Sequence, residues 1–316
     1  MTLPAFIYIL RIGNMRPIPS GPKPPQEHIM IFITGATGQL GNAVINTLIE
    51  NGTPAAQIVA GTRKPDAAAA LEAKGVQLRK ADYADPASLD AAFRGIDTLY
   101  LVSGDAPIDV RIEHHRNAIA AAVRNGVKRI VYTSFVDTAE DSPFGFARIH
   151  ADTERTLAES GLEFTILRHG IYADILPAFL NGYAERGVAS PNQHGKARFI
   201  RRADLAAAAA KVLTTGGHSG KTYTLTGPTA LNMADIAAVL ETRTGKPVAY
   251  HALPTSDYAS ILVKATGVPQ WLADALAGMF AAMDRGGYDI QTGDFARLLG
   301  RDAMPVEAAL VAQFGL

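Results

Sequence analysis

The chain has 316 residues, of which 48% are apolar and 19% charged, so it can bury a sizeable core and wholesale disorder is excluded. Thirty Lys and Arg balance thirty Asp and Glu, which removes the electrostatic ground for expecting a nucleic-acid or membrane-surface partner. The absence of cysteine rules out disulfides, thiolate metal centres, iron–sulfur clusters and a cysteine nucleophile, and fits a reducing compartment; a cytoplasmic location is expected.

Along the chain, residues 3–10 form an apolar run that stops at Arg11. It is far shorter than the roughly 20 residues that span a bilayer. It has no basic leader or small-residue cleavage site, so it does not read as a secretory signal. Pro17, Pro19, Pro22, Pro24 and Pro25 follow; each removes an amide donor and fixes φ, which predicts an extended linker. Residues 1–28 are therefore expected to be a disordered leader without catalytic role, with Met30 as a candidate natural start. The alternative is a small docking arm built on Phe6, Ile7, Tyr8 and Ile9.

From residue 29 short apolar runs alternate with helical periodicity. Strands are predicted at 29–33, 57–62, 76–81, 98–102, 128–133 and 163–167. Helices are predicted from the glycine turn after residue 33 and at 67–74, 87–93, 110–125 and 150–160. This rhythm predicts an α/β fold, a Rossmann-type doubly wound parallel sheet over 29–170 with helices on both faces. Beyond 170 helices dominate, at 175–185, 203–213, 233–244, 258–265, 271–283 and in two short pieces near the end. Strand-like pieces lie at 222–225 and 247–251. Residues 171–316 are expected to form a smaller, mostly helical substrate lobe, with some segments returning to the main sheet.

The chemistry is carried by Thr34-Gly35-Ala36-Thr37-Gly38-Gln39-Leu40-Gly41, between the first strand and the first helix. Gly35 permits the tight turn, Gly38 lets backbone amides approach a pyrophosphate, and Gly41 is expected to let the helix pack close to the sheet. The helix start adds free N–H groups and a partial positive charge. A site for NAD usually places Asp or Glu about 20 residues on, at the end of the second strand. That strand here ends Gly61-Thr62-Arg63-Lys64-Pro65, so Arg63 can pair with the additional phosphate of NADP(H), which a carboxylate would repel. Asp82 at the end of the third strand is placed to accept from an adenine amino group, whereas Asp85 is the better cap for the next helix. Val102, Ser103 and Gly104 after the fourth strand, and Thr133 and Ser134 at the end of the fifth, are expected on the nicotinamide side, because ligands of open parallel sheets sit outside the carboxyl ends of the strands. His114 and His115 read as surface or interhelix residues, and no metal-ligating pattern is present.

These residues, with Tyr132-Thr133-Ser134, Leu167-Arg168-His169-Gly170-Ile171-Tyr172 and Arg202-x-Asp204, resemble the NmrA-like branch of the atypical short-chain dehydrogenase/reductases, and within it the NADPH-dependent quinone and triphenylmethane dye reductases. The likeness runs from about residue 30 to the end. It implies NADP(H) on the Gly35–Gly41 turn and a small-molecule electron acceptor in the C-terminal lobe; homo-oligomerisation is left open. Most short-chain dehydrogenases carry Tyr-x-x-x-Lys where this chain reads Phe146-Ala147-Arg148-Ile149-His150. The usual proton donor is missing, and His150 matches the position near the nicotinamide ribose. Hydride transfer to an unactivated ketone needs an acid, whereas a quinone or dye delocalises the charge it receives. The expected activity is therefore hydride transfer from NADPH to a quinone-like or other electrophilic acceptor, with Tyr172 and His150 as the candidate catalytic groups. The alternative is a non-catalytic NADP(H)-binding redox sensor.

Overall fold

The computed structural model describes residues 29–314, so the predicted leader at 1–28 lies outside the described residues. Nine strands and thirteen α-helices follow one another among them. The first half runs β1 (Ile31–Ile33), α1 (Gln39–Glu50), β2 (Ile58–Thr62), α2 (Ala69–Glu72), β3 (Gln77–Lys80), α3 (Pro86–Ala92), β4 (Thr98–Leu101), α4 (Ile108–Arg124), β5 (Arg129–Phe135), α5 (Ala147–Glu159) and β6 (Glu163–His169). The second half runs α6 (Leu176–Phe179), α7 (Tyr183–Arg186), β7 (Val188–Ser190), α8 (Arg202–Thr214), β8 (Lys221–Leu225), α9 (Met233–Thr244), β9 (Tyr250–Ala252), α10 (Thr255–Thr266), α11 (Gln270–Asp284), α12 (Asp294–Leu299) and α13 (Val306–Phe314).

The main sheet has seven strands in the order β3-β2-β1-β4-β5-β6-β8, every neighbouring pair parallel. All residues of β1, β2 and β4 are buried, as expected where helices cover both faces. The edge strands show exposed polar ends, Gln77 and Lys80 on β3 and Lys221 and Thr222 on β8, which discourages further pairing. On one face, Leu40, Val44, Ile45 and Leu48 of α1 meet the alanine-rich face of α8, whose small side chains let the two helices approach closely. On the other face, Leu89 and Phe93 around α3, Ala118 and Ile119 of α4 and Leu157 of α5 close over Phe32, Leu99 and Tyr132. A third core, against which Phe135 at the end of β5 packs, joins α9, α10, α11 and α13 through Ile236, Leu240, Tyr258, Phe280, Met283 and Leu310. The Rossmann-type architecture is thus present, with α8 and β8 returning to the sheet.

Three local expectations change. Strands β5 and β6 run two residues further than their apolar runs, because Ser134 and Arg168 are register partners whose side chains both reach Glu154 of α5. The single helix expected over 175–185 is broken: Gly182 and Gly187 adopt left-handed φ values of 76° and 73°, separating α6, α7 and the unpredicted strand β7. Strand β9 lies at Tyr250–Ala252 rather than 247–251, where it pairs with β7.

Candidate dinucleotide groove and its surroundings

Two crossings shape the groove. After β1, the Thr34 hydroxyl donates to Tyr100 O (3.1 Å) and accepts from Val102 N–H (2.8 Å), which ties the ends of β1 and β4 together. Gly35 then takes φ 58°, and Gly38 N–H closes the turn onto Gly35 O (2.9 Å). A Cβ on Gly41 would lie 2.4 Å from Gly35 O and 3.1 Å from Ala36 Cα. Gly41 is therefore required by the turn folding back on its own helix, not by the approach of helix to sheet expected from sequence. Helix α1 begins with no side-chain cap and no acid in its first turn, so its leading amides and positive dipole end are left for an anion.

Facing this turn is a groove of ≈ 460 Å³ lined by Gly35, Thr37, Gly38, Arg63, Asp82, Val102, Ser103 and Gly104 among the residues expected from sequence. Thr34 of the glycine motif and Lys64 beside Arg63 also line it; sequence reasoning missed Gly61, Thr62, Ala67, Ala81, Tyr83, Asp105 and His114 as members of its wall. Tyr83 was the most legible of these, since it follows Asp82; its hydroxyl donates to Val102 O at 2.6 Å, and burial pushes its pKa up. Gly61 had no local signal: a Cβ there would lie 2.4 Å from the Phe32 ring, across the sheet.

The remaining predicted residues are not at the groove wall. Ala36 and Leu40 turn into the core, and Gln39 is the exposed first residue of α1. The Ser134 hydroxyl is engaged by Glu154 (2.6 Å), which also holds Arg168 at 2.9 and 2.6 Å. Tyr172 accepts or donates a 3.0 Å hydrogen bond with His169 Nδ1 and lies under the Arg202 guanidinium, 4.8 Å from the ring centroid. Burial, partly offset by Arg202, pushes its hydroxyl up to about 12. His150 is 7% exposed, and its Nδ1 is 2.8 Å from Tyr132 Oη. Burial, with His115 and Arg111 nearby, holds its pKa well below the usual histidine value. His115 corrects the surface reading: it is fully buried, bonded to Thr153 and placed to accept from Gly104 N–H (3.4 Å), while His114 reaches the groove. Phe146, where most short-chain dehydrogenases keep their tyrosine, lies under Arg111, whose guanidinium carbon is 4.2 Å from the ring centroid. Asp85 caps α3 by accepting from Ser88 N–H, as expected.

The electrostatics suit an adenine dinucleotide with an additional phosphate. Arg63 and Lys64 are exposed at the carboxyl end of β2 and enter no side-chain ion pair among the described residues. They stand at the same groove as the uncapped start of α1. No cluster of three His, Cys, Asp or Glu able to hold a metal ion occurs among the described residues.

A parallel doubly wound sheet with this glycine turn at its first crossing defines a Rossmann-type nucleotide-binding protein. The chain belongs to the NmrA-like family, which it matches over residues 27–299. It is 43% identical over 272 residues to quinone oxidoreductase 2 of Escherichia coli (strain K12), covering 86% of this chain and 94% of that protein. It is 33% identical to the NAD(P)H azoreductase of Xenophilus azovorans over 80% of this chain and 86% of that one. The crystal structure of the E. coli NADPH-dependent quinone oxidoreductase complexed with NADPH superposes with a TM-score of 0.85 at 40% identity, over 90% of this chain and 100% of that one. The triphenylmethane reductase of Citrobacter sp. complexed with NADP(H) gives 0.82 at 32% identity, over 90% and 99%.

Proposed function

We propose that this protein is an NADPH-dependent oxidoreductase that passes hydride to a quinone or another electron-poor acceptor. The observation that carries the reading is the pair of unpaired cations, Arg63 and Lys64, at one groove with the uncapped glycine turn. Its relatives, named quinone oxidoreductase and azoreductase, favour an enzyme over a sensor. The amides of the Gly35–Gly41 segment would hold the pyrophosphate, Arg63 the additional phosphate and Asp82 the adenine. The cofactor, when bound, supplies the hydride.

What the chain's own residues withhold is as informative as what they offer. Phe146 cannot donate a proton, Tyr172 is far too weak an acid at neutral pH, and His150 is uncharged there. An acceptor whose reduced form is a stable oxyanion needs no strong acid, because hydride addition leaves a hydroquinone anion that takes its second proton from solvent. The division of labour between residues 29–170 and a lobe formed by 171–316, which would receive this small-molecule acceptor, belongs to the same proposal. So does work in the cytoplasm; no helix among the described residues is long and apolar enough to cross a membrane.

The test is direct. Purified protein with NADPH and a panel of quinones is followed by loss of nicotinamide absorbance. Consumption well above the protein-free rate is expected. Tight NADPH binding without consumption across the panel would overturn the reductase in favour of the sensor.

A further inference from the structure

Two imidazoles flank Tyr132 of β5, with ring centroids 5.6 Å (His115) and 5.9 Å (His150) from its own. Counting protons fixes His115. The Thr153 hydroxyl donates to Ile149 O at 2.7 Å, which leaves its oxygen as an acceptor for His115 Nδ1 at 2.8 Å. Nδ1 therefore carries the proton. In a neutral imidazole Nε2 is then a bare lone pair, and it faces the Gly104 amide at 3.4 Å.

His150 has the reverse arrangement. Its Nδ1 is 2.8 Å from the hydroxyl of Tyr132, a fully buried side chain. Were Nδ1 to donate, the phenolic proton of Tyr132 would need another acceptor. Apart from His150 Nδ1, the Tyr132 hydroxyl has no hydrogen-bonded acceptor among the described residues. With Tyr132 Oη–H donating to Nδ1, the phenolic proton meets a close acceptor, whereas a buried hydroxyl hydrogen left unmet would cost about 1–3 kcal/mol. The remaining proton of His150 then sits on Nε2. That nitrogen has no hydrogen-bond partner among the described residues. Unlike Nε2 of His169 it is not sealed from solvent, and its ring stands beside Phe135, the last residue of β5.

We propose that Tyr132 is a positioning residue that holds His150 as the Nε2–H tautomer, so that an N–H donor, not a base, is presented at the carboxyl end of β5. Resting on the reductase reading above, this donor serves an acceptor oxygen that gathers negative charge as hydride arrives, such as a quinone carbonyl oxygen. A preorganised neutral donor stabilises that oxygen without transferring its own proton.

The deciding experiment is a long-range ¹H–¹⁵N imidazole correlation spectrum of the ¹⁵N-labelled full chain at pH 7.5, with His115 and His150 assigned from single substitutions. Opposite patterns are expected, a protonated Nδ1 for His115 and a protonated Nε2 for His150. Tyr132→Phe should turn the His150 pattern into a tautomer mixture and leave that of His115 in place. A protonated Nδ1 on His150 in the unsubstituted protein overturns the proposal. Kinetics provide the second arm. Tyr132→Phe should lower kcat with a quinone roughly ten-fold while leaving the NADPH Kd unchanged. In a His150→Gln background, whose side-chain amide donates whatever Tyr132 does, it should lower kcat no further. An equal loss in both backgrounds overturns the proposal. Absence of turnover in the unsubstituted protein would sink the reductase reading instead, and the spectrum would still decide the tautomer.

Discussion

Arg63 has no carboxylate to hold it among the described residues, whereas Arg168 sits on Glu154 and Arg116 on Asp152. A guanidinium left unpaired at a groove is available for a bidentate bond to phosphate. Arg63→Ala should therefore raise the Kd for NADPH roughly ten-fold or more, the worth of one charge-assisted bond, and leave NADH binding nearly unchanged. Isothermal calorimetry with both coenzymes reads the difference, and equal losses would contradict the phosphate assignment. The two later glycines of the turn separate in the same assay. A Cβ on Gly38 would lie 3.1 Å from Gly35 O and faces the groove, so Gly38→Val should remove dinucleotide binding from a protein that keeps its circular dichroism. A Cβ on Gly41 would lie 2.4 Å from the same oxygen inside the packed turn. Gly41→Val should lower the melting temperature as well as binding, since forcing atoms into a filled site costs about 1–3 kcal/mol. Retained binding in Gly38→Val would remove the pyrophosphate from this turn. The glycines and Arg63 were legible because their reasons are local in sequence. Gly61 and His115 were not, because the Phe32 ring and Thr153 that explain them come from other elements.

Among the elements, the buried strands were the easiest to read. A run such as Ile58 to Thr62 is apolar because both of its faces are covered. What the sequence hid is pairing over distance. Strand β7 has three residues and exists because β9, far along the chain, offers Tyr250 opposite Val188. The segment after β7 is held the same way, by the last residue of α11. The Asp284 carboxylate accepts from the amides of Gln193 (2.9 Å), His194 (2.9 Å) and Gly195 (2.8 Å) and from Asn192 Nδ2 (2.7 Å). Gly195 lies so flat on the helix end that a Cβ would fall 1.9 Å from Met283 O. An acid at a helix C-terminus opposes the dipole, so these donors are what make Asp284 tolerable there. Asp284→Ala should leave the amides to water and destabilise the lobe by about 2 kcal/mol. Hydrogen exchange should accelerate at residues 193–195 while amides of β1 and β4 keep their protection. Unchanged exchange at 193–195 would show that the loop is held by something other than this carboxylate.

Across the whole molecule, the same burial that shapes the site sets a dependence on acid. His115 and His169 are fully buried and His150 nearly so. Burial, with Arg111 and His114 adding to it, lowers His115 to about 3, and burial alone lowers His169 to about 3; His150 is displaced in the same direction by burial, His115 and Arg111. In the unfolded chain each would titrate near 6.5. Folded values lie below unfolded ones, so above about pH 6.5 both states are neutral and stability does not depend on these groups. Below it the unfolded chain takes up protons that the folded chain refuses, and stability falls until the folded values are reached. Each histidine contributes a slope approaching about 1.4 kcal/mol per pH unit. The carboxylates whose folded values are lowered act elsewhere. Asp97 and Asp235, for which burial is outweighed by backbone hydrogen bonds and by Lys128 and Lys196, lose their contribution only near and below pH 4. The window from pH 6.5 to 4.5 therefore belongs to the buried imidazoles. Urea midpoints measured at half-unit steps should be level from pH 7.5 to 6.5 and fall steeply below. His169→Asn should flatten the fall by about one histidine's share, because the unfolded variant has one imidazole fewer to protonate, while the Asn side chain can still bond the Tyr172 hydroxyl that His169 Nδ1 meets at 3.0 Å. Midpoints that stay level down to pH 5 would mean that these rings are hydrated and chargeable in the folded chain.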